Sequence, residues 1–221
     1  MFGFSPQQIV IDLVVIAMLL LVTLPFHEFA HALAAYRLGD STARLFGRLT
    51  LDPRVHLDPV GALLLVFTVI FGFGLGWAKP TPVNPMNLRY GKWGEAIVAA
   101  AGPLSNLALA IAAAIPLRFI LATNLHIDFL ETVLLLFVVY NVLLMVFNLI
   151  PIPPLDGSKV LYALLDPRTA YTVRPMLEQY GPMLLLLLVL LPSFGGVNPL
   201  GQIFGLIVDP IVGLLTGVSL R

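Results

Sequence analysis

Residues 9–36 read IVIDLVVIAMLLLVTLPFHEFAHALAAY, an apolar run that ends in a His-Glu-Phe-Ala-His motif at 27–31. As a helix this run exceeds the roughly 20 residues that cross a ~30 Å hydrocarbon core at 1.5 Å per residue. Positions four apart share a helix face, so His27 and His31 can hold one metal ion between them. Glu28 then stands beside that ion, where a general base takes a proton from an attacking water. Pro25 cannot donate to the carbonyl of Leu21, which predicts a break in the helix just ahead of His27. The segment thus carries a chemical conflict: hydrolysis consumes water, and the motif sits where hydrocarbon would be.

Composition sets the class. Hydrophobic residues make up 59% of the 221, charged residues 11%, and mean hydropathy is +0.97. So little charge does not suit a water-facing surface of this size. The formal net charge of zero gives no support for a nucleic-acid partner or a polybasic lipid anchor. Cysteine is absent, so any metal is held by His, Asp or Glu. The N-terminus lacks a basic region and a small-residue cleavage site, and reads as a retained span. Apolar segments recur at roughly 8–37, 59–77, 94–121, 129–150, 176–192 and 198–216. The expected fold is an all-α polytopic membrane protein. It has about five spanning helices, a membrane re-entrant segment and a short β-hairpin-like element. We expect a single membrane-embedded domain over 1–221, with a core at 8–160 and accessory C-terminal helices at 174–216.

Two stretches between the apolar segments read as extended. Leu45–Asp52 alternates, with Leu45, Gly47, Leu49 and Leu51 on one face, and is bounded by Pro53. Trp77–Pro85 holds Pro80, Pro82 and Pro85, too many for a helix. Either could offer an edge on which an unwound substrate segment is held by strand addition.

A catalytic zinc takes three protein ligands, so His27 and His31 need a third. Asp156 is the leading candidate. It follows Asn148-Leu149-Ile150-Pro151-Ile152-Pro153-Pro154-Leu155, and the prolines together with Gly157 fix its backbone as a ligand requires. The plainer reading is a loop aspartate that starts the next short helix.

Taken together, these motifs resemble the site-2 proteases, a family of intramembrane zinc metalloproteases. The resemblance rests on His27–His31, the NxxPxPxLDG form of Asn148–Gly157, Gly102-Pro103-Leu104-Ser105-Asn106, and His56-Leu57-Asp58-Pro59-Val60-Gly61. It implies one Zn2+ per chain held by His27, His31 and Asp156, with Glu28 as the general base. It also implies transmembrane protein substrates and a small prokaryotic type without PDZ or regulatory domains. Side-chain amides suit an oxyanion or a substrate backbone in a dry site, which singles out Asn148 and Asn106. Interhelical hydrogen bonding is the plainer role for both. His56 is a candidate gate or transient ligand, or else an interfacial loop residue. His126 receives no role, and Trp77, Tyr90 and Trp93 read as interfacial anchors.

Geometry constrains the topology independently of the family. His31 and Asp156 can meet at one ion only if an even number of crossings separates them. Segments 94–121 and 129–150 supply two, so 59–77 should re-enter, its tail broken by Gly72, Gly74 and Gly76. Eleven of the twelve Lys and Arg residues then share one side, with Arg118 alone on the other. That bias places the site toward the cytoplasmic half of a multi-pass membrane protein. Two other functions fit the composition: a membrane-embedded zinc hydrolase of lipid-like substrates, and a non-enzymatic metal transporter or sensor. A transporter would want further acidic or His residues along other helices, and these are scarce. Neither a GxSG nucleophile nor a GxGD pair is present, which disfavours serine and aspartyl intramembrane proteases.

Overall fold

The structure, a computed structural model, describes residues 5–71, 76–123, 125, 127–191 and 198–218. Glycines 72 and 74, His126 and Arg221 lie outside them. Helix α1 (Pro6–Met18) starts at Ser5, whose hydroxyl accepts from the Gln8 amide at 3.1 Å. It runs through one π-helical turn, Leu19–Thr23, into α2 (Leu24–Arg37). This turn is the break that Pro25 predicts. The Leu24 amide reaches back five residues to Leu19, and the extra residue lets the ladder resume past the missing proline donor.

The long helix α6 (Lys92–Ala122) lies at the centre, against α2, α7 (Asp128–Asn148), α8 (Asp156–Leu164) and α10 (Pro199–Thr216). Its buried face is rich in Ala99, Ala110, Ala113 and Ala114, small enough for neighbouring backbones to approach closely. Val138, Val142 and Val212 fill the seam with α7 and α10. Five helical stretches are long and apolar enough to cross a membrane: Pro6–Arg37, Lys92–Ala122, Asp128–Asn148, Pro167–Leu190 (α9) and Pro199–Thr216. Of these, α9 is the least enclosed by the rest of the chain. The expected all-α polytopic class holds.

The hairpin-like element does not. Leu45–Asp52 contains the end of a helical turn, α3 (Thr42–Leu45), and a bend at Gly47, whose φ is +68°. Asp52 then caps a second turn, α4 (Pro53–His56), by accepting from the Arg54 amide. Alternation signals a strand only where a partner ladder exists, and none lies beside this stretch among the described residues. Local turn chemistry therefore prevails. No sheet forms among those residues; one isolated antiparallel bridge joins Leu57 to Ala78.

That bridge lies at the foot of α5 (Pro59–Phe71). Its described part, 13 residues, is about 20 Å long. Returning chain packs tightly on it. A Cβ at Gly61 would stand 2.0 Å from the Trp77 carbonyl oxygen, and one at Gly76 2.5 Å from Leu65 Cβ. The following residues 79–84 are extended without a ladder, as their prolines predict, and end in a 3-10 turn at Pro85–Asn87.

One buried carboxylate ties this stretch to α2. Asp40 accepts from the Thr42 amide and hydroxyl, the Asn84 amide at 2.7 Å and the Asn87 side chain at 3.1 Å. Burial alone would raise its pKa, but these donors outweigh that and hold it below the ordinary carboxylate value. A group depressed on folding stabilises above its unfolded pKa of about 4, and the contribution is lost as pH falls through the folded value. Asp40→Asn should therefore lower stability at neutral pH by about 1–3 kcal/mol. It should also decline less than the parent on acidification. Melting of both proteins in detergent micelles, from neutral to strongly acidic pH, checks this, and parallel curves would refute it.

Candidate metal centre

The α2 helix places His27 and His31 one turn apart, and both are buried. Their Nε2 atoms stand 3.1 Å from each other. Asp156 Oδ2 lies 3.3 Å from His27 Nε2 and 3.1 Å from His31 Nε2. Among the described residues these three form the one group of potential ligands gathered about a single point. Four ligands at about 2.0 Å in tetrahedral array stand roughly 3.3 Å apart, so the three separations match the edges of a zinc tetrahedron. The donor set, two imidazoles and a carboxylate, suits zinc and leaves a fourth position open.

Two of the three ligands are held from behind. His31 Nδ1 lies 2.7 Å from the Val98 carbonyl of α6, so it donates there and Nε2 carries the free lone pair. Asp156 is the first residue of α8, where the helix dipole favours an anion. Burial would raise its pKa, but His27 and His31 hold it well below the ordinary carboxylate range. The Lys159 ammonium stands 3.7 Å from its other oxygen. The turn that presents Asp156 depends on Gly157, where a Cβ would lie 2.2 Å from the Leu149 carbonyl oxygen.

Glu28 is buried beside the trio but outside the ligand group. Its Oε2 accepts from the Thr81 amide at 2.8 Å, and its main-chain carbonyl accepts from the Thr81 hydroxyl at 3.1 Å. Asn106 lies on α6 one turn beyond Gly102, almost fully buried, with Oδ1 lacking a partner among the described residues. Asn148 ends α7 and donates back to Leu144 at 2.9 Å. His56 stands apart from the ligand group. It is fully buried in α4, and its Nε2 meets the Thr50 carbonyl at 2.7 Å, so it braces the 50–56 loop. A cleft of about 300 Å³ adjoins the centre, lined among others by Thr81, Val98, Ser158, Lys159 and Tyr162.

Three contributors escape the sequence. The Val98 carbonyl is a backbone atom with no residue signature, and Thr81 is distant in the chain. Gly102 carries no side chain to mark it, yet a Cβ there would lie 2.4 Å from His31 Nε2 and 2.6 Å from His27 Nε2. Glycine lets the α6 backbone sit against the ligand atoms. Gly102→Ala should leave the helical fold intact, since the atoms displaced are ring tips, but weaken zinc binding by roughly 10–100-fold. Circular dichroism and zinc titration would check this; unchanged affinity would show that the rings have room.

Comparison with known proteins agrees with this geometry. Residues 116–191 match the family model described as Peptidase family M50. The chain is 36% identical over 183 residues to YwhC, a candidate zinc metalloprotease of Bacillus subtilis, covering 78% of each protein. It is 36% identical over 182 residues to Rip2, a candidate zinc metalloprotease of Mycobacterium tuberculosis H37Rv, covering 80% of this chain and 66% of Rip2. Rip2 of Mycolicibacterium smegmatis is 32% identical over 176 residues, 78% of this chain and 65% of that protein. No solved structure matches significantly. With this similarity across most of its length, the chain belongs to peptidase family M50, the site-2 proteases.

Proposed function

We propose that this protein is a zinc-dependent intramembrane endopeptidase, cleaving peptide bonds within or next to transmembrane segments of other membrane proteins. The observation that carries this reading is the convergence of His27, His31 and Asp156 within 3.1–3.3 Å, on and beside a membrane-length helix, with Glu28 next to them. His27, His31 and Asp156 would hold the zinc ion, which would supply a Lewis acid for water activation and for oxyanion charge. Glu28 takes the proton of the attacking water and returns it to the leaving amine. Asn106 and Asn148 have side-chain amide groups to spare for the substrate backbone or the developing oxyanion. Through the 300 Å³ cleft, polar residues next to Asp156 and Glu28 offer water a path that hydrocarbon does not.

The same reading extends to topology. The Leu57–Ala78 bridge supports re-entry of 59–77, with both ends on one face. Two spans, α6 and α7, then separate His31 from Asp156. The cation-rich connections lie on the site's side, which supports a cytoplasm-facing centre in a prokaryotic cell membrane. All site residues fall within 8–160, and the C-terminal helices are accessory. Of the other functions, a metal transporter would need a second ligand set along its path, and the described residues hold one. Family membership favours peptide over lipid-like substrates.

Glu28→Gln should keep zinc yet lose hydrolysis by several orders of magnitude, whereas Asp156→Ala and His31→Ala should lose both. Metal analysis together with cleavage of single-span substrates decides the matter. A Glu28→Gln enzyme at full rate would sink the proteolytic mechanism, and a zinc-replete Asp156→Ala protein the third ligand. Topology has its own test in this cysteine-free chain. Ser41→Cys, Met86→Cys and Thr169→Cys should label from the site's face and Thr123→Cys from the other. Opposite labelling of Ser41→Cys and Met86→Cys would show that 59–77 crosses.

A further inference from the structure

The extended residues 79–84 lie beside α2, and the fate of their backbone donors is informative. Pro80, Pro82 and Pro85 have no amide hydrogen. Lys79 donates to the His56 carbonyl at 2.8 Å, Thr81 to Glu28 Oε2 at 2.8 Å, and Asn84 to Asp40 Oδ2 at 2.7 Å. A strand that recruits another chain must present alternating donors and acceptors. Here all but one of the donors are missing or already committed to the protein itself, Val83 alone having an amide without a hydrogen bond among the described residues, so the stretch has little with which to build a ladder with a substrate. The destinations of those donors form a frame instead. Lys79 ties one end to the α4 loop, Asn84 ties the other to the buried Asp40, and between these fixed points Thr81 grips Glu28 twice.

We propose that Thr81 is the positioning residue of Glu28. This rests on the reading of Glu28 as the proton acceptor. A glutamate side chain has three rotatable bonds, and hydrolysis requires one of its oxygens at a defined place. The Thr81 amide holds Oε2, leaving Oε1 to take the proton. The Thr81 hydroxyl, bonded to the Glu28 carbonyl, keeps the two backbones in register. The flanking prolines stiffen the segment and leave one amide over residues 80–82, so the carboxylate meets a single fixed donor.

Three variants of the full chain test this, assayed with zinc present on a labelled single-span peptide that the parent cleaves. Thr81→Ser keeps both bonds and should match the parent in kcat and KM. Thr81→Val keeps the amide and loses the hydroxyl, and kcat should fall about two- to fivefold. Thr81→Pro removes both bonds from an already proline-flanked extended segment, and kcat should fall by about tenfold or more. In each case KM and zinc stoichiometry should hold. A loss carried by KM would mean that the segment docks substrate and would overturn the proposal, as would an unchanged kcat in Thr81→Pro. If Thr81→Pro fails to fold, Thr81→Val decides, and parent-like kcat there overturns the assignment. Glu28→Gln in the same assay separates the two levels. If it cleaves normally the proton-acceptor role itself fails, whereas an inactive Glu28→Gln beside neutral Thr81 variants sinks only the positioning role.

Discussion

Three buried polar side chains that must meet at one point, His27, His31 and Asp156, govern the rest of this structure. Left without a metal, two imidazoles and a carboxylate in an apolar setting would be costly to desolvate. Drawn to one ion they repay that cost, but only if α2 and the start of α8 arrive at the same depth. Two intervening spans satisfy this and three do not. In the sequence, α5 and the Leu57–Ala78 bridge lie between α2 and those spans.

Bringing helices this close to a metal centre demands missing side chains. Gly102 opens α6 to the imidazole tips, Gly157 lets α8 start against the Leu149 and Ile150 carbonyls just past α7, and the alanine face of α6 admits its neighbours. In lipid the hydrophobic effect does not drive helices together, so close packing and buried hydrogen bonds take over. The Thr23–Asn141 contact at 3.3 Å and the His31–Val98 bond serve that end beside the π turn. A π turn that ends two residues before Pro25 keeps the spanning helix continuous while reorienting the turn that bears the ligands.

The loops of the site's face are organised around a second buried carboxylate. Asp40 gathers Thr42, Asn84 and Asn87, and so connects the end of α2 to the extended chain that reaches back to Glu28. The reactive glutamate is thereby supported by residues some fifty positions away. His56, chemically suited to a metal, is used to brace the loop on which that frame is built.

How much of this was legible in the residues follows from the range of the forces involved. Helix periodicity, the i,i+4 spacing of His27 and His31 and the donor lost at Pro25 are local, and they appear in the chain as written. The candidacy of Asp156 as partner of the histidines is legible in the proline-bounded run Asn148–Gly157, whose form resembles that of the family. Leu45–Asp52 alternates without forming a strand, because alternation describes a strand only when a partner exists, and partners are decided by packing. Gly102, the Val98 carbonyl and Thr81 were hidden for the same reason: a close approach, a main-chain acceptor and a remote amide leave no pattern of their own. Sequence alone therefore determined the class, the spans and the chemistry of the centre. Tertiary structure decided how the ligands and the base are held, since second-layer contacts depend on distances between segments that no local rule encodes.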